Sequence, residues 1–410
     1  MLAAKYIPLA IMNPHVDKLY QVATQPHRLI IGLMSGTSLD GLDIALCRVG
    51  GSGLNTALEL LHFDTKGYTD DFRNQIRNIF AKRSIDQQVL SGLHALIGQT
   101  HGALVNDALR EWGVPARNVD LLASHGQTVF HAPQSLTGTN DYPNSTLQLG
   151  DGDHLAVTTG IITISDFRQK HVAAGGEGAP LAAYGDYLLF TDAHETRVLL
   201  NIGGIANFTL LPPTEDNEAP CFATDVGPGN TLMNQYMLAH LGLEMDRDAR
   251  IASTGAVHEQ LLEALLSHDF FDLPFPKTTG PELFNLQYLA DAQQASRAEK
   301  LSTQDVMATL VAFSATAINA SIRRAVQGCP NPHIYISGGG LHNPLLVDRI
   351  KDGLGSIPVS SFEVLGLAPD AKEAALFALL ANETVAGNAA NARAILDSPT
   401  VCMGKISFPA

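Results

Sequence analysis

The amino-acid sequence predicts an α/β protein of two similar lobes, each with a mixed β-sheet, around a cleft. Three observations favour this fold. The chain has 410 residues, which is more than one ordinary hydrophobic core contains, so two domains are expected. Strand and helix patterns alternate along the chain. A series made of a strand, a glycine-rich hairpin, two strands and helices occurs twice, which indicates a weak internal duplication.

The first series follows an N-terminal extension, residues 1–28, and forms the predicted first lobe, residues 29–190. Strands are predicted at 29–34, 43–49, 57–64 and 121–124, helices at 71–81 and 86–112, and a pair of strands at 146–149 and 161–165 after a loop at 132–144. A final helix at 369–387 begins the segment 369–410, which completes this lobe.

The second series forms the predicted second lobe, residues 191–368. Strands are predicted at 197–201, 206–211 and 221–225, helices between 230 and 326, and two more strands at 333–337 and 359–364. Its first hairpin, NIGGIANFTLL, parallels the segment MSGTSLDGLDIAL of the first lobe.

The composition excludes several classes of function. With 45% hydrophobic and 16% charged residues the chain is globular, and its net charge of −15 argues against a nucleic acid or an anionic membrane as partner. The four cysteines lie far apart, without a CxxC pair, so we expect free thiols in a reducing compartment. The apolar patch at 6–12 lacks the pattern of a signal peptide, and the apolar helix at 306–326 fits a buried core helix. We therefore expect a cytoplasmic protein.

The most informative segment is IGLMSGTSLDGLD, residues 31–43, in which an apolar strand runs into a loop of Gly, Ser and Thr. Such a loop exposes backbone N–H groups where a phosphate chain can approach, and Asp40 and Asp43 could hold Mg²⁺ through water. The segment matches neither the P-loop nor the GxGxxG fingerprint, and a Gly/Ser turn by itself is more often a plain hairpin.

Three further glycine turns follow predicted strands, at residues 202–204, 227–229 and 338–340. Because ligands gather at the carboxyl ends of strands in α/β sheets, four such turns favour a cradle for a nucleotide and its phosphates. The segment DVGPGN, residues 225–230, precedes a predicted helix, whose N-terminus attracts anions. Asn230 fits the N-cap of that helix equally well.

The chain resembles the anhydro-N-acetylmuramic acid kinases, which belong to the actin/hexokinase/Hsp70-like ATPase superfamily. The matching segments are MSGTSLDGLD (34–43), SHGQTVFH (124–131), LQLGD (147–151), SDFR…AAGGEGAPL (165–181), LNIGGIANFT (200–209), DVGPGN (225–230), ISGGGLHNP (336–344) and PDAKEAALFALLA (369–381). The resemblance implies two actin-like (RNase H-like) lobes around an interlobe cleft, use of ATP and Mg²⁺, an amino sugar as small-molecule partner, and a homodimer.

In that family, water attacks the anomeric carbon of 1,6-anhydro-N-acetylmuramic acid, the bridge opens, and the released O6 attacks the γ-phosphate of ATP, a step in the recycling of cell-wall sugars. The resemblance implies ATP contacts at Gly36, Thr37, Ser38, Leu39, Asp40, Gly41, Leu42, Asp43, Gly203, Gly204, Asn207, Asp225, Gly227, Gly229, Asn230, Gly338, Gly339, Gly340 and Asn343. It implies metal contacts at Asp40, Asp43 and Asp225, and sugar contacts at His125, Asp151, Arg168 and Glu373.

Several of these residues also have an ordinary structural interpretation. His125 and His131 flank Gly126, and hydrogen-bonded histidines of a turn would fit them as well as cleft residues. Asp151 equally fits the cap of a turn, and Glu373 equally fits an acid in the first turn of a helix.

The segment expected to carry the general base departs from the family pattern DFRxxDxAxGGQGAPL. His171 stands at the position of the catalytic aspartate, Glu177 replaces Gln, and Pro281 replaces an Arg further on. A neutral imidazole can act as a base near neutral pH, so His171 is the predicted base. Asp166, Glu177 and Asp186 are nearby carboxylates that could substitute, although Asp166 more readily orients the loop or bonds Arg168.

The predicted function is therefore that of an ATP-dependent sugar kinase of this type. Imidazole stabilises a developing oxocarbenium charge less well than a carboxylate does. For that reason the alternatives are a kinase for a different amino sugar without ring hydrolysis, and a non-catalytic homologue that binds ATP or sugar. An ATPase that drives a partner is a further alternative, disfavoured because the sequence shows no long partner-binding domain.

Overall fold

The computed structural model describes residues 12–139, 141–214, 220–396 and 398–410. They form two compact units: unit 1 comprises the described residues among 12–189, 370–393 and 398–410, and unit 2 those among 190–369 and 394–396. Apart from Met12, the apolar patch at 6–12 lies outside the described residues. The chain therefore leaves unit 1 after residue 189 and returns to it at residue 370.

The described strands are β1 (His27–Ser35), β2 (Gly41–Gly50), β3 (Ala57–Gly67), β4 (Leu121–Ala132), β5 (Ser145–Leu149), β6 (Thr163–Ser165), β7 (Thr196–Ile202), β8 (Ile205–Leu211), β9 (Phe222–Pro228), β10 (Pro332–Ser337), β11 (Val359–Ser361) and β12 (Lys405–Ser407). The described α-helices are α1 (Pro14–Thr24), α2 (Asp70–Arg77), α3 (Gln87–Glu111), α4 (Gln134–Thr137), α5 (Gly152–Thr159), α6 (Phe167–Ala173), α7 (Ala182–Phe190), α8 (Thr231–Leu241), α9 (Glu259–Leu266), α10 (Leu286–Ser296), α11 (Thr303–Ala325), α12 (Pro344–Leu354) and α13 (Lys372–Ala386).

Unit 1 is built on a seven-stranded mixed sheet in the order β12-β6-β4-β1-β2-β3, with β5 paired to β4 beside this path. Strands β1, β2 and β3 form an antiparallel meander, whereas β4 runs parallel to β1 and β6 runs parallel to β4. On one face, Ile31 and Leu33 of β1 join Ile97 and Val105 of α3 in a buried apolar cluster. The core of unit 1 therefore lies between the sheet and the helices that follow β3.

Unit 2 is built on a five-stranded sheet in the order β11-β10-β7-β8-β9. Strands β7, β8 and β9 form an antiparallel meander, and β10 and β11 add to it in parallel. This order and these directions repeat the order β3-β2-β1-β4-β6 of unit 1. The predicted α/β class with two mixed sheets is confirmed, and the predicted repeat is present in the order of the strands.

Helix α11 runs through the apolar core of unit 2, where its residues Val306, Leu310 and Phe313 are buried. It is the one described helix long and apolar enough to cross a membrane, with a hydropathy of 1.4, and 78% of its most apolar stretch is buried inside the structure. Such burial is typical of the central helix of a globular unit.

Three predicted elements differ from the structure around β4 and β11. The predicted strand at 121–124 continues to Ala132 through Gly126, which has a φ of +76°, so the expected turn at Gly126 is a bend within β4. The predicted strand pair at 146–149 and 161–165 is wrong, because β5 and β6 both pair with β4 and not with each other. The predicted strand at 359–364 ends at Ser361, whose side chain accepts from the Glu363 N–H and begins a short 3₁₀ helix.

Helix α13 packs closely on the other face of the first sheet because β1 has a glycine where the helix crosses it. Successive strand residues point to opposite faces, so Gly32 faces away from Ile31 and Leu33. A Cβ at Gly32 would lie 1.9 Å from the backbone oxygen of Ala374 in α13. Position 32 therefore fixes how close α13 can come to the sheet, and with it the position of Glu373 at the start of the helix.

We expect Gly32→Ala to destabilise unit 1 by about 3 kcal/mol or more, because the new methyl group would meet backbone that cannot give way. Urea unfolding followed by the fluorescence of Trp112, the single tryptophan of the chain, measures the effect in unit 1. The control is Gly92→Ala in α3, where a Cβ would meet no described atom within 4 Å. It should leave stability unchanged or raise it by about 0.5–1 kcal/mol. Equal stability of the two variants would contradict the close approach.

Candidate active site

Unit 1 contains a cavity of about 480 Å³, within the usual size range of small-molecule sites. The residues that line it come from the ends of β1, β4 and β5, from α6 and from the start of α13: Met34, Ser35, Gly36, Thr37, Ser38, His125, Thr128, His131, Thr146, Gln148, Arg168, Ala179 and Glu373. The cavity thus brings together the first glycine loop and three of the four residues predicted to contact sugar.

Arg168 is the cation of this cavity, and two hydrogen bonds hold its guanidinium. Its Nε donates to Nε2 of His125 at 2.8 Å, and its Nη1 donates to the carbonyl oxygen of Gly178 at 2.7 Å. His125 is buried, and burial followed by the charge of Arg168 lowers the pKa of its imidazole to about 3, so it is neutral and can accept. Of the two roles expected for Asp166, orienting the loop or bonding Arg168, the second does not occur: Asp166 pairs with Lys405 at 3.4 Å and accepts from Ser165 at 3.3 Å.

Glu373 is the one acid among the described residues that line the cavity. Its side chain is exposed to solvent. The cavity walls around it, and then the charge of Asp43, raise the pKa of its carboxyl, whereas the charges of Arg168 and Lys372 lower it by less. The preceding residue in the chain, Lys372, forms an ion pair with the buried Asp186 at 2.7 Å, so Asp186 is engaged outside the cavity. The carboxylate of Glu373 is therefore the acidic group best placed to meet a ligand.

The first glycine loop is held open by its own side chains and by a buried leucine. Ser38 donates to Oδ1 of Asp40 at 2.7 Å, and the same oxygen accepts from the Gly41 N–H at 3.1 Å. Leu39 has a φ of +59° and is buried, which turns the chain back toward β2. Residues Gly36, Thr37 and Ser38 consequently remain at the cavity, whereas Leu39 and Leu42 pack inward.

Asp43 stands among other acids. Its carboxylate accepts from Thr65 at 2.6 Å; burial raises its pKa, the Thr65 bond lowers it, and Asp40 and Asp370 raise it further. Among the described residues, no group of three or more His, Cys, Asp or Glu side chains is arranged to hold a metal ion directly. A Mg²⁺ ion that keeps its waters needs fewer protein ligands, and it would relieve this repulsion, so Asp40 and Asp43 fit such an ion.

A buried chain of hydrogen bonds supports the end of β1, and nothing in the sequence pattern indicates it. Nε2 of Gln127 donates to the carbonyl oxygens of Gly36 and Thr128, so its Oε1 accepts from Ser35 at 2.5 Å. The Ser35 oxygen then accepts from Tyr68 at 2.8 Å, and the Tyr68 oxygen accepts from Nε2 of His101 at 2.8 Å. Every donor in the chain points from His101 toward Gln127.

His171, the predicted base, lies beside the cavity and does not line it. Its side chain is 1% exposed, and its Nδ1 accepts from the Gly178 N–H at 2.9 Å. Burial, followed by the charge of Arg168, lowers the pKa of its imidazole to about 4. Its Nε2 lies buried without a hydrogen-bond partner among the described residues. The role of His171 as a base stays a prediction, and this geometry argues against it.

Of two further predicted residues, Asp151 has a local structural role and His131 lies at the cavity. Asp151 is the N-cap of α5: its Oδ1 accepts from the backbone of Asp153 and His154 and lies 2.8 Å from Nδ1 of His154. Burial favours a higher pKa for Asp151, but the bonds from His154 bring it below its usual value. His131 does line the cavity, and burial followed by the charge of Arg168 lowers its pKa, while Glu177 raises it.

Gln148 and Thr146 are cavity residues that the sequence analysis did not single out. Nε2 of Gln148 donates to Thr146 at 2.8 Å and to Thr128 at 3.2 Å, which leaves its buried Oε1 without a partner among the described residues. Gln148 lies in the segment LQLGD, so that motif was the available signal. Alternation along β5 places Gln148 on the same side as Thr146, whereas Asp151 lies beyond the end of this strand.

In unit 2 three glycine-rich turns pack on one another at one edge of the sheet. β7, β9 and β10 run in the same direction, so their carboxyl ends meet there. Gly229 and Asn230 donate their N–H groups to the carbonyl oxygens of Gly204 and Gly203 at 2.9 and 2.8 Å. A Cβ at Gly338, where φ is +88°, would lie 2.5 Å from Oδ1 of Asn201. The predicted grouping of these turns is therefore present within unit 2.

The polar residues of these turns differ in whether their side chains cap a helix. Asn343 is the N-cap of α12 and accepts from the Leu346 N–H at 3.0 Å, so its predicted adenosine contact competes with a structural bond. Asn230 precedes α8 without a side-chain cap bond, so its amide is not committed to that helix. Asn207 lies opposite Asp225 in the backbone register of β8 and β9, two residues from Gly227, where φ is +143°.

Asp225 is held by the segment that follows the helices of residues 259–272. Its Oδ2 accepts from the Thr279 N–H at 2.9 Å, and burial raises its pKa despite that bond. Lys277 begins this segment, but its Nζ donates to the carbonyl oxygens of Phe270 and Phe271 at 2.8 and 3.2 Å. Pro281, where the family motif has an arginine, is exposed. Because the Lys277 ammonium is held by these carbonyl oxygens, it does not take the place of that arginine.

Comparison with known proteins gives one consistent family. The family model described as anhydro-N-acetylmuramic acid kinase matches residues 28–406. An anhydro-N-acetylmuramic acid kinase of Pseudoalteromonas atlantica is 51% identical over 401 residues, 97% of this chain and 100% of that protein. One of Caldanaerobacter subterraneus subsp. tengcongensis is 37% identical over 397 residues, 96% of this chain and 100% of that protein. A solved ROK family glucokinase from Streptomyces griseus is 12% identical, with a TM-score of 0.35 over 85% of this chain and 98% of that chain. A likeness this weak supports no conclusion about function.

Unit 1 should lose stability in acid, because burial lowers the pKa of His101, His125 and His171 and keeps these side chains neutral. The pKa of His101 is lowered to about 4, so the unfolded chain binds a proton more readily than the folded one between roughly pH 6.5 and pH 4. Stability therefore falls as the pH falls through this window, by up to about 1.4 kcal/mol per pH unit for His101 alone. Urea unfolding followed by Trp112 fluorescence should show a flatter pH dependence for His101→Gln. Exposed His27→Gln is the control, and an unchanged slope in the His101 variant would contradict the neutral state.

Proposed function

Because the chain belongs to the anhydro-N-acetylmuramic acid kinase family, we propose that it opens the 1,6-anhydro ring of anhydro-N-acetylmuramic acid and phosphorylates O6 with ATP. The observation that carries the proposal is the lining of the unit 1 cavity. The glycine loop at 36–38 and the side chains of Arg168 and Glu373 line the same cavity. A sugar bound there would lie beside the loop expected to receive the γ-phosphate.

The cavity supplies the groups that recognise a sugar. Gln148 offers a buried amide oxygen, Thr128 and Thr146 offer hydroxyls, and Arg168 offers a fixed cation that could meet the lactyl carboxylate of the muramic acid. Such polar groups at fixed positions set orientation, since most of the remaining contact with a small ligand is apolar.

We propose Glu373 as the general base. Its carboxylate would take a proton from water while the water oxygen forms a bond to the anomeric carbon and the bond from that carbon to O6 breaks. O6 then forms a bond to the γ-phosphorus with the released electron pair, and ADP leaves. A carboxylate also stabilises the positive charge that develops on the ring, which a neutral imidazole does less well. Glu373 has this chemistry and lies in the cavity.

We propose that Asp40 and Asp43 hold Mg²⁺ through water beside the glycine loop. When bound, Mg²⁺ neutralises charge on the β- and γ-phosphates. The support is the cluster of acids around Asp43, which a cation would relieve. For Asp225 of unit 2, contact with the metal stays a prediction.

We propose that the glycine turns of unit 2 bind the phosphates and the nucleoside of ATP. Their support is the close packing of backbone at residues 203–204, 227–230 and 338–340. Since Gly229 and Asn230 donate their N–H groups within the turns, phosphate would meet other backbone N–H groups there. Such groups attract phosphate without requiring cationic side chains, which suits a chain of net charge −15. A cytoplasmic location and a homodimer are further proposals, the first supported by dispersed free cysteines and the second by the family alone.

A second candidate function is phosphorylation of a related amino sugar without ring opening. The observation that favours it is the buried histidine at the position of the family's catalytic aspartate. Incubation with ATP, Mg²⁺ and anhydro-N-acetylmuramic acid, followed by mass spectrometry, separates the candidates. A product that has gained both water and phosphate supports the main proposal. Phosphorylation of reducing amino sugars only would support the second candidate, and ATP binding without any product would support a non-catalytic homologue.

Glu373→Gln should lower kcat by about 10²- to 10⁴-fold, because it removes the proton acceptor and nearly preserves the shape of the side chain. Steady-state kinetics with the sugar measure the loss, and equilibrium binding of ATP should be unchanged. The control is Glu363→Gln, an exposed residue of unit 2. Full activity of the Glu373 variant would exclude it as the base.

Gly338→Ala should weaken ATP binding about tenfold or more, because the added carbon would displace Asn201 and Ile202 from the packed turns. Gly366→Ala is the control: φ is +86° there and +88° at Gly338, but a Cβ at 366 would meet no described atom within 4 Å. Because ψ is 172° at Gly338 and 9° at Gly366, the Gly338 variant differs from its control in the cost of the backbone conformation as well as in crowding. Isothermal titration with ATP measures the difference, and equal affinities would exclude a role for the packed turns.

A further inference from the structure

We propose that His171 is a positioning residue, which holds Gly178 in place and through it the guanidinium of Arg168 in the sugar cavity. The inference rests on the proposed function of that cavity as a sugar site. His171 stands at the position of the family's catalytic aspartate, but its role here is to hold the wall of the cavity and not to move a proton.

The first link is the hydrogen bond from Gly178 to His171. The Gly178 N–H donates to Nδ1 at 2.9 Å, so Nδ1 carries no proton and the ring proton lies on Nε2. Gly178 has a φ of +86°, a conformation that glycine adopts without strain. The imidazole therefore serves as the acceptor that holds Gly178 in this conformation.

The second link is the hydrogen bond from Arg168 to the same residue. Nη1 of Arg168 donates to the carbonyl oxygen of Gly178 at 2.7 Å, while Nε donates to Nε2 of His125 at 2.8 Å. Two bonds at different atoms of a planar guanidinium define its orientation. The Gly178 N–H and carbonyl belong to successive peptide groups joined at the Gly178 Cα. A shift of Gly178 away from His171 would therefore also move the carbonyl that holds Arg168, and the cation in the cavity would move.

The loop around His171 is shaped to the imidazole ring. A Cβ at Gly176 would lie 2.2 Å from Cε1 of His171, so only glycine permits the ring to lie there. The Gly176 N–H donates to the His171 carbonyl oxygen at 3.0 Å, and the ring of Tyr184 meets the imidazole edge-on with centroids 5.7 Å apart. The ring is thus enclosed by its own loop and by α7.

These contacts exclude His171 from direct contact with a sugar in this conformation. The ring is 1% exposed, it is absent from the lining of the cavity, and the nitrogen with a free electron pair already accepts from Gly178. A base needs that electron pair within reach of the proton it takes. The bond to Gly178 uses it for structure.

Two substitutions separate the roles because each mimics a different ring nitrogen. His171→Asn places an amide oxygen near the position of Nδ1 and can still accept from Gly178, whereas His171→Gln places its amide near Nε2. The control is Lys170→Ala, an exposed neighbour on α6. We expect KM for the sugar to rise about tenfold in the Gln variant and to change less than threefold in the Asn variant, with KM for ATP unchanged in both.

Hydrogen exchange of the segment 171–181, followed by mass spectrometry, gives a readout independent of turnover. The Gln variant should expose the Gly178 amide to faster exchange, and the Asn and Lys170 variants should not. Equal exchange in all three variants would overturn the inference, as would an equal loss of kcat of about 100-fold or more in both His171 variants with KM unchanged, which is the result for a base. A wild-type protein without kinase activity would refute the proposed function, and the exchange data would still decide whether His171 holds Gly178.

Discussion

The absence of a side chain at Gly32 is the constraint on which the candidate active site depends. It allows a helix from residues 372–386 to lie against the first strand of unit 1, after the chain has passed through residues 190–369 of unit 2. This contact brings Glu373 to a wall otherwise built from residues 34–38, 125–148 and 168. The acidic group of the cavity and its cation therefore reach each other through the tertiary structure, and neither is near the other in sequence.

The two units carry the same order of strands but use their loops differently. In unit 2 the turns at 203–204, 227–230 and 338–340 are packed backbone against backbone, so their shape depends on small residues. In unit 1 the loop at 36–38 opens into a cavity defined by side chains, above all Arg168, Gln148 and Glu373. Backbone suits a phosphate, which needs N–H donors, whereas side chains suit a sugar, whose hydroxyls need donors and acceptors at particular positions.

The sequence predicts the alternation of elements, the repeated sheet and the grouping of the glycine turns, because these follow from periodicity and from strand direction. It does not predict roles that depend on tertiary contacts. Asp151 and Asn343 stand in motifs shared with the family, yet each caps a helix. Gly126 suggests a turn, but a left-handed glycine also bends a continuing strand such as β4. His171 has the right position in the motif, and only the path of residues 175–178 shows that its electron pair is already engaged.

The chain from His101 through Tyr68 and Ser35 to Gln127 has a mechanical consequence. A proton wire works only if every hydrogen bond along it can reverse its polarity. Here the amide of Gln127 cannot turn over without placing its oxygen against the carbonyl oxygens of Gly36 and Thr128. The bond from Ser35 to Gln127, the last of the series, therefore has a fixed direction, and it fixes the direction of the bonds before it. The series therefore does not relay protons; it holds the backbone in place. It anchors the end of β1 to helix α3 and keeps the glycine loop at a fixed height above the sheet.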